Sequence, residues 1–431
     1  MLERYFRLKE NHTTVRAEFL GGLTTFITMA YIVVVNPQIL AKTGMPVDGV
    51  VFATCIASAA ATLVMGLYAN YPIALAPGMS LNAYFTYSVC LGMHVPWQTA
   101  LGVIFFSGVF FLILAVSRVR EQIVNGIPDC LKHSTAAGIG MFIAFVGLRN
   151  ANIVVANPAT FVSLGSFSNR EAQLACVGLA IMLILVTRRI TGAILIGVIV
   201  TTLLGIFRGM ATWPGHILSL PHPSATWLKL DLRGALHLGL LEIIFVFLFV
   251  DLFDNVGTLL GVCEQGGFVK DGKIPRVGRA LVSDAIGTVF GALTGTSTVT
   301  SYIESAAGVA AGARTGLSNL FVAGLFLLAA FFAPLAAAIP GYATAPALIV
   351  VGALMTESIG RVAWSDLTDA IPAFVTLLAT PLTFSIATGL SLGLISYTLV
   401  KVAAGKFREV SPVIWILTVL FILRYAYLAA E

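Results

Sequence analysis

Long apolar runs, separated by short polar connections, make up most of this chain. About fourteen of them approach the ~20 residues that a helix needs to cross a lipid bilayer. The runs are continuous rather than alternating, which favours helices over a transmembrane β-barrel. The approximate spans are 19–40, 49–68, 72–92, 97–117, 134–151, 172–187, 190–208, 237–262, 277–293, 296–312, 317–338, 344–357, 369–384 and 386–402. A further apolar run, 412–428, is either another crossing or a helix on the membrane surface.

Composition indicates an integral membrane protein. Hydrophobic residues make up 58% of the 431 residues and charged residues only 10%, and the mean hydropathy is +0.95. A soluble domain carries about 25% charged residues. No loop is large enough for a nucleotide-binding domain, so we expect a protein that is neither an enzyme nor an ATP-driven pump by itself.

Cysteine and histidine usage predicts neither a metal site nor another cofactor. The five cysteines are scattered without a Cys-x-x-Cys pair, and the six histidines are equally dispersed. The net charge of +5 reports cytoplasmic loops in a membrane protein, so we expect no nucleic-acid partner.

Basic residues in the connections predict the orientation. If the amino terminus is cytoplasmic, most basic connections fall on the cytoplasmic side, as the positive-inside rule requires. They include Arg118, Arg120, Lys132, Arg188, Arg189, Lys270, Lys273, Arg276 and Arg279. The first residues resemble neither a cleaved signal peptide nor a transit peptide. We therefore predict a multi-pass protein of the cell membrane with a cytoplasmic amino terminus.

The two halves of the chain echo each other at an offset near half its length. The matching pairs are 105–112 with 321–328, 83–86 with 301–304, and 127–128 with 339–340. Seven crossings per unit is an odd number, so the second unit must enter the membrane upside down. The predicted fold is an all-α polytopic membrane protein with a seven-plus-seven inverted repeat, an arrangement found in secondary transporters.

Segments 3 and 10 are the least helix-like. Segment 3 contains Pro77-Gly78, and segment 10 contains the hydroxyl-rich run Thr296 to Ser301. Unpaired backbone at membrane depth is tolerated only where protein or a wet cavity satisfies it. We predict a short extended strand in each segment, leading into a half-helix near the midplane. The alternative is a Ser/Thr-rich packing seam between helices.

Acidic residues inside apolar runs mark the candidate site. Asp251 and Asp254 lie near the middle of one run and share a helix face, about one turn apart. Carboxylates at this depth are costly, so the pair indicates a water-accessible pocket for a polar substrate or a proton. The alternative is a packing role, which we also expect for Asp284. Glu304 either contributes to the pocket or caps the segment 10 half-helix, and Asn36 either caps a kink or lines the pocket.

Four stretches together resemble the AzgA-like purine permeases of the nucleobase–ascorbate transporter superfamily. They are 24–37, 76–85, 249–258 and 295–305. The resemblance implies proton-coupled import of adenine, guanine or hypoxanthine by an elevator-like motion. It also implies a core domain (1–131 and 235–341) that moves against a gate domain (132–234 and 342–431). In that family, positions equivalent to Asn82, Asp251, Asp254 and Glu304 carry substrate binding or coupling.

Purine chemistry fits these residues. Carboxylates accept hydrogen bonds from ring N–H groups, an amide both donates and accepts, and an aromatic ring such as Phe85 or Tyr84 stacks on a purine. The predicted substrate-binding residues are Asn82, Phe85, Asp251, Asp254, Ser301 and Glu304, with Asp254 and Glu304 also coupling the proton. The expected partners are a purine nucleobase, a proton and the lipid bilayer, and a homodimer is left open.

Three other classes of membrane protein are alternatives: an anion carrier, an aspartyl protease and a channel. An inorganic anion or dicarboxylate carrier of the same fold should have a basic residue in place of Glu304. An aspartyl protease needs its two aspartates on different helices, and a channel needs a continuous pore. For the transporter itself, sodium coupling through the run Thr296 to Ser301 is the alternative to proton coupling.

Overall fold

The computed structural model describes residues 2–116, 128–220, 225–236, 240–269 and 274–427. Several residues used in the sequence analysis lie outside these ranges: Arg118, Arg120, Ile127, Lys270 and Lys273, the start of the run 237–262, and the last residue of the run 412–428.

The first part of the chain is mainly helical. Its α-helices are α1 (Leu2–Phe6), α2 (Val15–Met29), α3 (Ile32–Leu40), α4 (Val47–Val64), α5 (Met79–Ala83), α6 (Trp97–Val116), α7 (Asp129–Asn150), α8 (Arg170–Thr187) and α9 (Ala193–Phe207). The Thr14 side chain starts α2 by accepting a hydrogen bond from the backbone N–H of Ala17 at 3.2 Å. Two π-helical stretches, Met65–Ala69 and Tyr84–Gly92, extend α4 and α5.

The second part is also mainly helical. Its α-helices are α10 (Leu241–Gln265), α11 (Val277–Thr294), α12 (Ser305–Ala310), α13 (Leu317–Ala329), α14 (Ala333–Ala337), α15 (Gly341–Met355), α16 (Leu367–Leu382), α17 (Ile386–Ala403) and α18 (Pro412–Tyr427). Helix α16 is capped by Asp366, whose side chain accepts a hydrogen bond from the backbone N–H of Thr368. Helix α17 is capped in the same way by Ser385, which accepts from the backbone N–H of Thr388.

Within the described residues, nine helical stretches are long and apolar enough to cross a membrane. They are Val15–Thr43, Val47–Ala69, Trp97–Val116, Asp129–Asn150, Arg170–Thr187, Leu241–Gln265, Leu317–Ala337, Gly341–Arg361 and Ile386–Ala403. Shorter apolar helices occur at Ala193–Phe207, Leu367–Leu382 and Pro412–Leu423. The last of these leaves open whether the run 412–428 crosses the membrane.

Segments 3 and 10 each contain a short buried strand, as predicted. Strand β1 (Leu75–Pro77) pairs antiparallel with a strand of the second half, Val299–Ser301, with Ala76 opposite Thr300. Each strand is followed by a short helix, α5 in one case and α12 in the other. The prediction of extended pieces that lead into half-helices is therefore confirmed.

One of the sequence matches between the halves is wrong. Residues 83–86 were matched to 301–304, but the first group is helical whereas Ser301 ends a strand. The similar residues at these positions therefore do not occupy equivalent positions in the fold. The matched stretches 105–112 and 321–328 do lie on helices, α6 and α13.

A β-hairpin between α7 and α8 was not predicted. Strands β2 (Val154–Asn157) and β3 (Phe161–Leu164) pair antiparallel, and Val299–Ser301 is β4 in chain order. The sequence did carry a signal, because β-branched and aromatic residues flank the turn residues Asn157-Pro158. Each strand is only four residues long, which is too short for a clear alternating pattern of hydrophobic residues.

The described chain forms two compact units. The first comprises the described residues of 1–116 and 149–347, and so contains both strands of the β1–β4 pair and all six predicted site residues. The second comprises the described residues of 117–148 and 348–431. The predicted boundaries of the core and gate domains stay a prediction.

Candidate functional site

The site is built around the β1–β4 pair, whose backbone is held by hydrogen bonds. The backbone N–H of Gly78 donates to the carbonyl of Thr298 at 3.0 Å, and that of Tyr302 donates to the carbonyl of Ala74 at 3.0 Å. The Thr62 hydroxyl bonds both the N–H and the carbonyl of Leu75, at 2.9 and 3.1 Å. These partners let an interrupted backbone exist at membrane depth.

Asp254 lies beside the half-helix that follows β1. The Ser80 hydroxyl, on α5, donates to its Oδ2 atom at 3.4 Å. Asp254 is only partly buried, whereas Asp251, one turn earlier on α10, is 1% exposed. The two aspartates thus share a helix but not an environment.

Glu304 lies beside the half-helix that follows β4. It is the residue immediately before α12, yet its side chain makes no capping hydrogen bond. Its Oε1 atom instead accepts a hydrogen bond of 2.5 Å from the Tyr31 hydroxyl, 273 positions away in sequence. Glu304 is partly buried, and it lies within electrostatic range of Asp254. The capping alternative for Glu304 does not describe this geometry.

A close helix crossing holds Glu304 and Tyr31 together. Gly21 on α2 lies against Ala313, and a Cβ placed there would come within 2.6 Å of the Ala313 Cβ atom. On the other side of the crossing, a Cβ on Gly308 of α12 would clash with the Thr25 hydroxyl. Only glycine permits this approach of α2 and α12.

Two further carboxyls lie deeper. Asp251 Oδ2 accepts from the Thr288 hydroxyl at 3.2 Å, and Asp284 is 0% exposed on α11. In the described part of the chain, Asp251 Oδ1 and both Asp284 oxygens make no hydrogen bond of normal geometry. Thr300 and the Ser301 backbone lie beside Asp284. Asp284 is thus a member of a buried polar cluster.

Asn82 and Asn36 tie the hydroxyl-rich run to neighbouring helices. The Ser297 hydroxyl donates to the Asn82 side-chain oxygen, and the Asn36 amide donates to Thr296 at 2.9 Å and to Thr54 at 2.8 Å. The Asn82 amide nitrogen has no partner among the described residues, so it keeps two hydrogens to donate. Asn36 is fully buried and braces the run.

The other two predicted site residues are also buried. Phe85 is fully buried, and the Ser301 hydroxyl has no partner in the described ranges. The neighbouring Tyr84 packs against Phe247 with ring centroids 5.1 Å apart, so its ring is engaged within the protein. The structure therefore leaves Asp254 and Glu304 partly exposed and buries Asn82, Phe85, Asp251 and Ser301.

The four acids of the site have no cationic partner among the described residues. Within the part of the chain that the structure describes, no lysine or arginine forms an ion pair with Asp251, Asp254, Asp284 or Glu304. Asp251, Asp254 and Glu304 instead accept hydrogen bonds from hydroxyl groups. A low-dielectric interior disfavours several uncompensated negative charges, so a proton or a hydrogen-bond donor must offset them.

Three hydroxyl partners were missed by the sequence analysis. Tyr31, Ser80 and Thr288 each donate to a site carboxyl. Tyr31 and Ser80 lie inside the stretches 24–37 and 76–85 that carried the family resemblance. A signal was therefore present, but nothing in it said which carboxyl each hydroxyl would meet.

The chain is similar to a known family and to named transport proteins. Residues 16–392 match the Permease family. The adenine permease AdeP of Escherichia coli (strain K12) is 46% identical, with 100% of this chain and 97% of that protein aligned. The guanine/hypoxanthine permease PbuO of Bacillus subtilis (strain 168) is 45% identical, with 97% and 99% aligned. This chain belongs to the Permease family. Its resemblance to the AzgA-like members is confirmed, and it is a membrane transporter rather than an enzyme.

A solved structure shares the fold. The transmembrane domain of the cyanobacterium bicarbonate transporter BicA superposes with a TM-score of 0.66 at 18% identity, covering 88% of this chain and 97% of that one. This likeness concerns the fold alone. With the helical architecture and the β1–β4 pair, it confirms the predicted class, an all-α membrane protein with a seven-plus-seven inverted repeat.

Proposed function

We propose that this protein is a secondary active transporter that imports purine nucleobases, namely adenine, guanine or hypoxanthine. The observation that carries the proposal is the pair Asp254 and Glu304, partly exposed carboxyls beside the β1–β4 pair whose described side-chain donors are hydroxyls. The names of the relatives, adenine permease and guanine/hypoxanthine permease, support the same substrate class.

The donors and acceptors of the site suit a purine. Asp254 and Glu304 accept hydrogen bonds from ring N–H or exocyclic amino groups. Asn82 offers two unpaired N–H groups to a ring nitrogen or carbonyl. Asp251, Phe85 and Ser301 are buried, and in this proposal they complete the site as it closes on the ring.

The same carboxyls provide for proton coupling. A carboxyl without a cation neighbour gains or loses a proton when its surroundings change, because nothing fixes its charge. We assign the coupling to Asp254 and Glu304, with a core domain (1–131 and 235–341) moving against a gate domain (132–234 and 342–431). The amino terminus lies in the cytoplasm in this proposal.

An anion carrier is the second candidate, because BicA has the same fold. The charge of the site weighs against it. An anion would face Asp254 and Glu304 without a cationic partner in the described chain, and like charges repel strongly at low dielectric.

Uptake into proteoliposomes tests the proposed function. Radiolabelled adenine, guanine, hypoxanthine, uracil and sulfate are offered separately, with an imposed pH gradient, an imposed sodium gradient or neither. We expect a purine to accumulate only under an inward proton gradient, with protein-free liposomes as the control. Accumulation of sulfate but no purine would overturn the substrate class. Purine accumulation driven by sodium alone would move the coupling to the run Thr296 to Ser301.

A further inference from the structure

We propose that Tyr31 is a positioning residue: its hydroxyl fixes the Glu304 carboxyl and sets the pH range over which that carboxyl takes up and releases its proton. The inference rests on the proposed function and goes beyond it by naming a residue of the first helix pair. It is carried by the 2.5 Å hydrogen bond from the Tyr31 hydroxyl to Glu304 Oε1.

Tyr31 lies where the first crossing is interrupted. Helix α2 ends at Met29 and α3 begins at Ile32, so Tyr31 stands between the two helices. The chain tightens there, because the N–H of Val34 donates to the Tyr31 carbonyl, three residues back, at 3.1 Å. At this break the Tyr31 side chain, which is 1% exposed, points towards Glu304 at the start of α12. The glycine crossing of α2 and α12 keeps the two residues in register.

Among the described side chains near Glu304, Tyr31 is the one that donates a hydrogen bond to its carboxyl. Tyr302 is near, but its hydroxyl donates to the carbonyl of Pro77 at 2.5 Å. Asp254, on α10, lies within electrostatic range of Glu304, and Asp254 and Asp251 lie within range of Asp284. None of these neighbours is a cation. Among the described side chains, the Tyr31 phenol therefore offsets the charge of Glu304 when that residue is ionised.

A tyrosine suits this task because it serves both states of the carboxyl. When Glu304 is ionised, the phenol donates to a charged oxygen, an interaction stronger than one between neutral groups. When Glu304 is protonated, Oε1 still accepts from the phenol and the carboxyl proton is free to meet a substrate nitrogen. The carboxyl thus keeps one orientation through a transport cycle.

The test is the pH profile of purine uptake by Tyr31→Phe, which removes one oxygen atom. Without the donor the ionised carboxyl is less stable, so Glu304 keeps its proton to higher pH. We expect the pH of half-maximal uptake to rise by about one unit. Tyr71→Phe is the matched control, since Tyr71 is also buried but its hydroxyl donates to the backbone carbonyl of Pro275. Its profile should not move.

A second measurement separates positioning from folding. Exchange of radiolabelled purine across the membrane, without a pH gradient, is compared for Tyr31→Phe, Glu304→Gln and the double variant. If Tyr31 acts through Glu304, the double variant should match Glu304→Gln. Uptake that is lowered equally at every pH, or an added loss in the double variant, would overturn the proposal for Tyr31. A wild-type protein that takes up no purine would instead overturn the proposed function.

Discussion

The acids of the two compact units have different partners. In the first unit, Asp254 and Glu304 receive hydrogen bonds from the hydroxyls of Ser80 and Tyr31. In the second unit, acids pair with lysines: the pairs are Lys401 with Asp369 at 2.9 Å, Lys401 with Glu409 at 2.8 Å, and Lys406 with Asp366 at 3.0 Å. Both units therefore hold buried or half-buried carboxyls, but among the described residues only those of the second unit pair with lysines.

The difference concerns which acids a neighbouring cation holds ionised. Hydrogen bonds from Thr368 and Lys406 hold the pKa of Asp366 well below its usual range, and Lys401 lowers the pKa of Glu409. Such carboxyls stay ionised at neutral pH and serve to hold helices together. Asp251, Asp254, Asp284 and Glu304 of the first unit have no such cation in the described ranges, so no fixed positive charge holds them ionised.

The largest effect should come from removing either open carboxyl. Glu304→Gln and Asp254→Asn keep the side-chain shape but cannot carry a proton, so each should abolish concentrative purine uptake. Radiolabelled uptake under an inward proton gradient is the measurement, and membrane insertion is checked by immunoblotting. Glu357→Gln, which changes an exposed acid of the second unit, should accumulate purine normally. Normal accumulation by Glu304→Gln or Asp254→Asn would remove that residue from the mechanism.

The buried acid of the same helix should have a smaller effect. Asp251→Asn alters a carboxyl that Thr288 already engages, and we expect purine binding to weaken about tenfold while folding is little changed. Equilibrium binding to the purified protein, together with its melting temperature, is the measurement. Normal purine binding with a much lower melting temperature would show that Asp251 only supports packing.

The ion pairs of the second unit should affect stability rather than coupling. Lys401→Met leaves Asp369 and Glu409 without their buried cation, whose side chain is 4% exposed. The two carboxylates are 27% and 52% exposed, so water partly replaces the lost ammonium group. We therefore expect the melting temperature to fall modestly while the pH profile of uptake keeps its midpoint. Lys132→Met breaks a more exposed ion pair with Asp129, so it should lower the melting temperature much less. A shifted uptake profile in Lys401→Met would contradict the division between the two units.

The smallest effect should be that of Asp366→Asn. The pKa of Asp366 is lower in the folded protein than its ordinary value of 3.8, so its contribution to stability is present above that pH and lost as the solution becomes more acidic. At pH 7 the variant should melt slightly below the wild type, and the difference should shrink as the pH falls below about 4. Thermal melting across this pH range is the measurement. A difference that grows in acid would contradict the assignment of Asp366 as an ionised partner of Lys406.

Much of the architecture followed from local sequence. Continuous apolar runs predicted the spanning helices, and Pro77-Gly78 with the hydroxyl-rich run Thr296 to Ser301 predicted the two interruptions. These features are readable because helix and strand preferences act over neighbouring residues. The β2–β3 hairpin was not predicted because its strands are short, although the sequence does contain its turn residues.

The candidate acids were also visible, because an ionisable residue inside an apolar run stands out without any knowledge of the fold. Their environments were not. Asp251 and Asp254 share one helix face, yet packing left only Asp254 partly open. The partner of Glu304 lies 273 positions away, and it was the crossing of α2 over α12 that brought them together. Sequence determined which groups enter the membrane. Tertiary structure decided which of them meet, because hydrogen bonds act over about 3 Å and only packing brings residues so distant in the chain that close.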